Sequence, residues 1–567
     1  MRICGLKLTH DGAISVVEDG KLLFSIEMEK INNNVRFKEI EETSIVEKIL
    51  EENGIKLEQI DHFVIDGWGG TNQEELAIQP RLEISELCNK ISAKDCGQNY
   101  KLDVNSYEEK SRTSDVLSKI ECQGLSINGK RYSYSSYLHV AGHIMSSYAT
   151  SPFASRGEDS YVLVWDGGMY PRLYYFDVKT KKIENLGPIF LLIGNIYTIF
   201  SQHFGPFKVQ GNFAKDSLSI AGKVMAYIAL GSVREELFEL FDKIYNENYT
   251  TPMGFANVFA NKFKEAIVEK DYKDEDILAT FHVYLQNMLI NKLAKKIERQ
   301  NKKCSNLCIA GGCALNIKWN SAIRNTGMFK DVYVSPFPND SGSAIGMACC
   351  AMLEKTGRSN LEWSVYSGPQ ITKSKEQIEG WSHRPCTIEE LARLLFEKEE
   401  PVVFLNDRAE LGPRALGNRS ILSVASSKKM KDILNMVKKR ESYRPVSPIC
   451  LEERAKEIFS PGTPDPYMLF DHIVRDEWKD KVPAVCHLDG TARLQTVTEN
   501  QNPVIFKLLK CYENLSNIPL LCNTSANYNG SGFFPNVESA IKWGRVNYVW
   551  HNNTLYEKDE KIQFNQQ

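Results

Sequence analysis

The strongest constraint on the fold is a pattern of apolar strand, small turn and hairpin that occurs twice in the sequence. In the first copy, Arg2–Leu8 alternates apolar and polar residues, and after a His-Asp-Gly turn the chain returns through a hairpin at Ala13–Glu27. In the second copy, an apolar run at 161–165 leads into Asp166-Gly167-Gly168 and then into a β-rich stretch at Leu173–Val178. Internal repetition of this kind is typical of a duplicated architecture. It predicts two similar α/β halves that face each other across a cleft.

The chain is too long, at 567 residues, to be built around one compact core. Regular periodicity is lost near 357–368, where the residues become polar, and we place a domain boundary there. We therefore predict an α/β domain at 1–360 and an α+β domain at 365–567. Strands of the second domain are expected at Pro401–Leu405 and Pro503–Phe506.

Several segments of the first domain have the spacing of apolar residues that is typical of helices. They are Ile40–Asn53, Tyr137–Tyr148, Asp276–Gln300 and the small-residue segment Ser343–Met352.

Composition excludes some classes of partner. Acidic residues outnumber basic residues by 72 to 69, so the chain as a whole does not present a phosphate-binding surface, and we expect no nucleic-acid partner. No apolar run approaches the roughly 20 residues that span a bilayer, and no export signal is recognisable, so no membrane partner is expected. The 14 cysteines include no Cys-x-x-Cys pair. We read them as reduced thiols of a cytoplasmic protein.

Two histidines with helical spacing are candidate metal ligands. His139 and His143 are four residues apart, which places both imidazoles on one face of a helix. Asp166 and Asp340, each beside glycine at the end of a predicted strand, are the natural oxygen donors to complete a site. This donor set favours Fe(II), Mn(II) or Zn(II) over Cu(I) and does not choose among the three. Of these ions, Fe(II) is the one we expect. The competing interpretation is a pair of helix histidines that are hydrogen-bonded in a polar cleft.

Glycine-rich turns follow several predicted strands. They are Gly167-Gly168, Gly311-Gly312, which continues to Asn316, and Ser341-Gly342. Turns of this kind let backbone N–H groups approach a phosphate or a nucleobase, although most glycine pairs are merely turns. Because they recur in a duplicated α/β frame, we predict that they line a nucleotide cleft.

His10 lies at the tip of the first hairpin, next to Asp11. A histidine held within reach of an acceptor hydroxyl can act as a general base at neutral pH. A turn histidine that simply faces solvent is the alternative.

The C-terminal domain contains arginines within turns rich in glycine and proline. Turns usually favour small polar residues, and a guanidinium held in a turn is suited to bidentate binding of phosphate or carboxylate. Surface charge is the alternative, which we accept for Lys429–Lys431 but not for Arg414. The set predicts a polyphosphate or acyl-phosphate pocket. Its candidate residues are Arg414, Arg419, Ser420, Lys438, Arg440, Arg444, Arg493, Asn523, Ser525 and Asn527.

At these residues the chain resembles the carbamoyltransferase family that includes the nodulation-factor and antibiotic O-carbamoyltransferases. The resemblance covers nearly the whole chain. Its motifs are Thr9–Gly12, His139-x-x-x-His143, Gly222–Met225, Gly311–Asn316, Gly412–Ser420, 482–495 and Asn523–Ser525. The resemblance implies an ASKHA (actin and sugar kinase-like) N-terminal domain and a YrdC-like C-terminal domain.

The resemblance also implies a two-step reaction. In the C-terminal domain, carbamoyl phosphate and Mg-ATP would give carbamoyl-adenylate and pyrophosphate, with a signature at Lys438, Arg440, Ser525 and Asn527. In the N-terminal domain, a hydroxyl of a small natural product would take the carbamoyl group. There the resemblance assigns the metal to His139, His143, Asp166 and Asp340, and makes His10, beside Asp11, the base or the residue that orients the acceptor.

Other functions remain open at the level of the sequence. They are carbamoylation of tRNA or of a protein thiol, a small-molecule kinase of the ASKHA type, and a nucleotide-gated binding protein without turnover. The oligomeric state is also open, and a homodimer is one alternative. The chain departs from the family pattern at Lys30–Arg36, Ala226–Gly231 and Tyr528–Phe533. We expect 66–79 and 197–215 to line the acceptor pocket.

Overall fold

A computed structural model describes residues 1–68, 89–208, 217–374 and 378–559. The chain divides into two compact units. The first unit contains 1–25 and 39–363, and the second contains 26–38 and 364–567. The sequence placed 26–38 in the domain at 1–360, whereas the structure places this segment in the second unit. The reason is tertiary, since 26–38 pairs and packs with residues from the far end of the chain.

The described part of the first unit contains two large mixed sheets, a smaller two-stranded sheet and the helices that pack against them. Its strands are β1 Arg2–Lys7, β2 Ala13–Glu18, β3 Lys21–Glu27, which ends in the second unit, β4 His62–Asp66, β5 Asn89–Asp95, β6 Gln98–Val104, β7 Lys119–Ile127, β8 Lys130–Tyr137, β9 Ser160–Val164, β10 Arg172–Asp177, β11 Lys182–Pro188, β12 Asn306–Ala310 and β13 Asp331–Val334. Its helices are α1 Ile45–Glu52, α2 His139–Ala149, α3 Pro152–Arg156, α4 Ile196–Ser201, α5 Ser217–Tyr227, α6 Phe238–Glu247, α7 Pro252–Ala266, α8 Asp274–Glu298, α9 Ile317–Asn325 and α10 Ser343–Thr356.

The five strands of one large sheet correspond in order to five of the six strands of the other. One runs β3-β2-β1-β4-β8-β7 and the other runs β11-β10-β9-β12-β13. In each sheet, the first strand of the copy pairs antiparallel with the hairpin strand that follows it and parallel with a later strand. The predicted duplication is therefore confirmed, and with it the duplicated α/β fold class of the N-terminal unit.

Helices α2 and α10 pack closely because small residues lie where they meet. A Cβ atom added to Gly346 would lie 2.0 Å from the carbonyl oxygen of Gly142, and one added to Gly5 would lie 2.0 Å from that of Ala344. Only glycine allows these backbones to approach so closely. The helix predicted at Ser343–Met352 is confirmed as α10, and the one predicted at Tyr137–Tyr148 is confirmed as α2 to within two residues.

Helices α4 to α8 form a helical insertion between β11 and β12. Aromatic rings fill its interior, and they belong to Phe200, Phe204, Phe241, Phe259, Phe263 and Phe281. In the described ranges, no helix is both long enough and apolar enough to cross a membrane.

The second unit is an α+β fold around one mixed sheet, as predicted. The strand order of this sheet is β14-β24-β23-β15-β16-β22-β17-β21. Its strands are β14 Trp381–Pro385, β15 Val402–Leu405, β16 Arg419–Ser423, β17 Ser447–Leu451, β21 Gln495–Val497, β22 Leu520–Ser525, β23 Tyr548–His551 and β24 Thr554–Lys558, and a small sheet adds β18 Phe459–Ser460, β19 His472–Val474 and β20 Thr491–Ala492. Its helices are α11 Ile388–Lys398, α12 Met430–Val437, α13 Ala455–Ile458, α14 Asp476–Lys479, α15 Pro503–Ser516 and α16 Val537–Trp543.

One strand prediction in this unit is confirmed and the other is wrong. The strand expected at Pro401–Leu405 is β15. The segment Pro503–Phe506, expected as a strand, is instead the first turn of α15. The side chain of Asn502 accepts a hydrogen bond from the Ile505 backbone N–H at 3.1 Å, and proline occupies the first helical position. These are the start signals of a helix, and they outweigh the β propensity of the apolar residues.

Candidate active site

Four side chains of the first unit converge on one point. His139 begins α2 directly after β8, and His143 lies one helical turn further along. Asp166 follows β9, and Asp340 begins the short turn before α10. All four residues are buried, and one donor atom from each lies within 4.8 Å of the others. We call these four residues the His/Asp cluster.

The spacing of the donor atoms fits a single cation. Nε2 of His139 and Nε2 of His143 lie 3.4 and 3.5 Å from Oδ1 of Asp340, and Nε2 of His143 lies 3.8 Å from Oδ2 of Asp166. Two ligand atoms at about 2.1 Å from one tetrahedral ion are roughly 3.4 Å apart. Within the described ranges, neither Nε2 atom has a hydrogen-bond partner, although both are buried. The residues present therefore fit a divalent metal ion.

The electrostatics of the cluster favour positive charge. Burial by itself would lower the pKa of His143, but the carboxylates of Asp166 and Asp340 outweigh it and raise this pKa to about 10. A site that attracts a proton so strongly also attracts a cation, which would displace that proton.

Two further buried charges touch the cluster, and the sequence analysis did not identify either as part of it. Oδ2 of Asp66, at the end of β4, lies 2.8 Å from Nδ1 of His139. Nζ of Lys7, at the end of β1, lies 2.9 Å from Oδ2 of Asp66 and 3.0 Å from Oδ2 of Asp340. Burial disfavours the ammonium, but the two carboxylates reverse this effect and raise the pKa of Lys7. Lys7 and Asp66 could have been identified in the sequence because each is a charged residue at the end of an apolar strand.

His10 lies beside the cluster. Its Nδ1 is 3.0 Å from Oδ2 of Asp11, and its Nε2 is 3.6 Å from Oδ2 of Asp340. The side chain is 32% exposed, so a substrate can reach it. With Nδ1 as the donor to Asp11, the Nε2 lone pair is directed toward the region of the cluster. The structure thus places His10 where a proton acceptor is useful.

Two aromatic residues that the sequence analysis did not single out line the same region. Tyr107 stacks on the imidazole of His139, with ring centroids 4.5 Å apart, and its hydroxyl donates a hydrogen bond to Oδ2 of Asp166. The ring of Trp68 makes edge contacts with the rings of His10 and His139, and its centroid lies 5.1 and 5.5 Å from theirs. These rings restrict the approach to the cluster and help to orient its ligands.

The glycine turns lie beside the cluster. The Gly312 backbone N–H donates to Oδ1 of Asp166 at 2.7 Å. Gly311 has φ +88°, and a Cβ atom there would lie 2.4 Å from the carbonyl oxygen of Trp165. The Gly167 carbonyl oxygen accepts from the Asn195 N–H at 2.9 Å, and an added Cβ on Gly168 would contact Tyr107. These turns therefore hold Asp166 and its surroundings in place.

Asn316, predicted to bind a nucleotide, caps a helix in the structure. Its side-chain oxygen accepts from the Trp319 N–H at 3.2 Å at the start of α9. Its nucleotide-binding role stays a prediction.

Cationic side chains gather in the second unit. Burial and the neighbouring Arg493, Arg36 and Arg444 lower the pKa of Arg414 well below its usual value. Burial, together with Arg440 and Arg444, lowers the pKa of Arg493 to about 10. Cations that depress one another's pKa in this way are held close together at an energetic cost, which a bound anion would relieve. We call this group the cationic cluster, and its members are Arg36, Arg414, Lys438, Arg440, Arg444 and Arg493.

Lys438 connects the cationic cluster to the strand end at β22. Its Nζ donates to the backbone oxygens of Ser525 and Asn527 at 2.8 and 2.9 Å and to Oδ1 of Asn527 at 2.6 Å. Ser525 Oγ donates to the same Oδ1 at 2.6 Å. Burial and the nearby Arg440, Arg545 and Arg36 lower the pKa of Lys438 to about 7. The structure thus brings together three of the four residues of the predicted signature, and the fourth, Arg440, is near enough for its charge to lower the pKa of Lys438.

Other predicted members of the pocket support the turn that carries Arg414. Arg419 is 1% exposed and donates to backbone carbonyls, including those of Asn406 and Asp407 at 2.7 and 2.9 Å. The Ser420 hydroxyl accepts from the Gly417 N–H at 3.1 Å, and Asn523 donates to the Ala415 carbonyl at 3.0 Å. These contacts hold the turn, and a direct role in substrate binding stays a prediction for Arg419, Ser420 and Asn523.

Segment 26–38 supplies residues to this pocket that sequence reasoning missed. Nζ of Lys30 is buried and donates to Glu27 and to the carbonyl oxygens of Glu410 and Gly412, at 2.6 to 2.7 Å. Arg36, with its side chain 38% exposed, belongs to the cationic cluster. The departure from the family pattern at Lys30–Arg36 was the available signal, but this segment was expected to belong to the domain at 1–360.

Part of the predicted acceptor pocket, 69–79 and 209–215, lies outside the described residues. Of the remainder, Asp66 and Trp68 border the His/Asp cluster, whereas Tyr197 contacts Trp319 and His282 in the interior of the first unit.

The fold and these two clusters define a class of enzyme with one site suited to a metal ion and another suited to anions. Comparison with known proteins identifies the family. The family model for the carbamoyltransferase N-terminus matches residues 2–349, and the one for the carbamoyltransferase C-terminus matches residues 392–558. The chain belongs to the carbamoyltransferase family, as predicted, and is a carbamoyltransferase.

Individual relatives match over nearly their full length. Nodulation protein U of Sinorhizobium fredii is 46% identical over 98% of this chain and 99% of its own length. The 3'-hydroxymethylcephem-O-carbamoyltransferase of Amycolatopsis lactamdurans is 30% identical over 95% of this chain and 96% of its own length. Among solved structures, the activator of 2-hydroxyisocaproyl-CoA dehydratase from Clostridium difficile is similar with 14% identity and a TM-score of 0.33. The match covers 63% of this chain and 97% of the activator chain. A TM-score this low does not establish a shared fold, so the fold assignment rests on the strand order.

Proposed function

We propose that this protein is an ATP-dependent O-carbamoyltransferase that uses its two units for two successive reactions. The second unit would form carbamoyl-adenylate, and the first would transfer the carbamoyl group to a hydroxyl of a small natural product. The relative named 3'-hydroxymethylcephem-O-carbamoyltransferase supports a small hydroxylated acceptor. The observation that carries the proposal is the cationic cluster, which occurs in the same chain as a His/Asp cluster.

The first reaction joins two anionic substrates. Water would hydrolyse the acyl-phosphate bond of carbamoyl phosphate, which releases inorganic phosphate and leaves carbamate. A carbamate oxygen would then attack the α-phosphorus of ATP, so that the C–O–P linkage of carbamoyl-adenylate forms as the α–β phosphoanhydride bond breaks and pyrophosphate leaves. Gathering these substrates requires cations that offset their mutual repulsion, and guanidinium groups bind phosphate oxygens in pairs. Arg414 in its turn would make such a contact, and Lys438 would keep the strand end at Ser525 in position.

The second reaction requires a base near the acceptor. The acceptor hydroxyl would attack the carbamoyl carbon, AMP would leave, and the hydroxyl proton would pass to Nε2 of His10. Asp11 holds the other ring nitrogen of His10 and stabilises the imidazolium that forms. A divalent ion held by the His/Asp cluster, for which we propose Fe(II), would supply Lewis-acid and orienting chemistry.

The cysteines bear on the compartment in which the reaction takes place. The cysteines in the described part of the chain are free thiols, which supports a reducing compartment, and we propose the cytoplasm. The partners would be carbamoyl phosphate, Mg-ATP and the acceptor, without nucleic acid.

The decisive experiment is to measure the products formed from ATP. We expect pyrophosphate and AMP, both dependent on carbamoyl phosphate, and a carbamoylated acceptor detected by its mass. Arg414→Ala should abolish pyrophosphate release, whereas Lys429→Ala, which removes an exposed lysine of the same unit, should not. Formation of ADP and a phosphorylated acceptor would show that the enzyme is a kinase instead.

A further inference from the structure

Two residues outside the set of metal ligands are placed to control that set. Leu6 of β1 is paired with Ile65 of the parallel strand β4, so Lys7 and Asp66 leave the ends of these strands side by side. Both are buried, with exposed fractions of 0% and 3%. We propose that Lys7 and Asp66 form a positioning pair that orients His139 and sets the net charge of the His/Asp cluster. The inference rests on the metal site of the proposed function.

Asp66 is in position to fix the orientation of the His139 ring. Nδ1 of His139 lies 2.8 Å from Oδ2 of Asp66, and Nε2 of the same ring lies 3.4 Å from Oδ1 of Asp340. When Nδ1–H donates to Asp66, the proton is kept off Nε2, and its lone pair is directed into the cluster. A carboxylate that holds the far side of a ligating imidazole fixes its tautomer and its ring orientation.

Lys7 also changes the net charge around the His/Asp cluster. The carboxylates of Asp66, Asp166 and Asp340 and the ammonium of Lys7 together leave two uncompensated negative charges when both imidazoles are neutral. This net charge matches that of a divalent cation. Without Lys7, a third negative charge would be buried without compensation.

The position of the Lys7 ammonium is well defined by its surroundings. Nζ lies 2.9 Å from Asp66 and 3.0 Å from Asp340, and 4.0 Å above the ring of Trp68. The ammonium contacts Asp340, a proposed metal ligand, and also Asp66, which holds the ligand His139. Its effect on cation binding therefore depends on Asp66. When Asp66 is replaced by the uncharged asparagine, the charge of Lys7 is no longer shared with a second carboxylate, and it opposes a cation bound beside Asp340.

This dependence gives a test that distinguishes positioning from simple support of the fold. The full-length protein is freed of metal and titrated with Co²⁺ in competition with a chromophoric chelator. We expect Asp66→Asn to lower the Co²⁺ affinity about 10- to 100-fold. Adding Lys7→Met to this variant should recover about tenfold, because the ammonium that opposes the cation is removed. Asp159→Asn is the matched control, since it changes a carboxylate of the same unit that contacts Tyr175 rather than the cluster.

The outcomes separate the two proposals. Thermal melting of each variant checks that the folded state is retained during the titration. Equal Co²⁺ affinity in the wild type and Asp66→Asn would overturn the positioning pair while leaving the metal site intact. A double variant that binds no better than Asp66→Asn would overturn the role of Lys7. If the wild-type protein itself took up no Co²⁺, Fe²⁺, Mn²⁺ or Zn²⁺, the metal site would fail and the positioning pair with it.

Discussion

Nε2 of His139 lies 3.4 Å from Oδ1 of Asp340, although one residue begins α2 and the other precedes α10. The close packing of these two helices at Gly142 and Gly346 brings the two atoms together. The geometry of the His/Asp cluster therefore depends on the packing of these helices as much as on the four residues themselves.

Removal of one ligand should separate the two half-reactions. His143→Ala takes away a buried imidazole of the His/Asp cluster, so we expect loss of bound divalent metal and of carbamoyl transfer. Pyrophosphate formation should continue, because it is assigned to the other unit. Metal analysis and product analysis of the same preparation check this, with His62→Ala as the control, because His62 begins β4 and contacts Ser135 rather than the cluster. If His143→Ala is as stable as the wild type and still loses both half-reactions, the division into two sites is wrong.

His10 should matter only for the transfer step. His10→Asn keeps a polar side chain beside Asp11 but removes the base, so carbamoyl transfer should slow by roughly 10²–10⁴. Pyrophosphate release measured with carbamoyl phosphate and ATP alone should stay close to that of the wild type. Unchanged transfer in this variant would rule out His10 as the base.

Arg36 should contribute to the reaction of the second unit although it is close to the N-terminus in sequence. Arg36→Ala removes one partly exposed member of the cationic cluster, and we expect the KM for ATP or carbamoyl phosphate to rise about tenfold. Lys38→Ala removes a cation of the same segment that is not a member of the cluster. Steady-state kinetics of pyrophosphate release compares the two, and equal effects would argue against a specific role for Arg36.

Anion binding in the second unit should depend on pH. Burial and neighbouring arginines lower the pKa of Lys438 to about 7, so its ammonium loses its proton as the pH rises through this value. A bound anion favours the charged form and raises this pKa again, so binding takes up a proton above pH 7. The affinity for pyrophosphate should therefore fall as the pH rises from about 7 to 9. Calorimetry in buffers with different ionisation enthalpies measures the proton uptake, and Lys438→Met should abolish it.

The contact between α2 and α10 should be intolerant of a methyl group. The Cβ of Gly346→Ala would lie 2.0 Å from a backbone oxygen, so one helix must move, and we expect a loss of about 3 kcal/mol in the free energy of unfolding. Gly222→Ala is the matched control within α5. There, an added Cβ meets no atom within 4 Å among the described residues, and alanine should stabilise the helix by up to about 1 kcal/mol. Denaturant titration measures both changes.

Local patterns in the sequence were sufficient for much of the fold. The duplicated hairpins, the helix that carries His139 and His143, and the strand at 402–405 all follow from periodicity and turn residues, and the structure contains each of them. The error at Pro503–Phe506 has the same local origin. There, β propensity was given more weight than the Asn-Pro start signal of α15.

The sequence by itself determined the repeated elements, the i,i+4 spacing of the two histidines and the family, because these depend on residues close together in the chain or on motifs read in order. Only the tertiary structure decided that Lys7 and Asp66 stand behind the His/Asp cluster and that Arg36 joins the cationic cluster of the second unit. Those contacts depend on which strands become neighbours and which backbones can approach closely. That information is distributed over the whole packed core and is not contained in any local pattern.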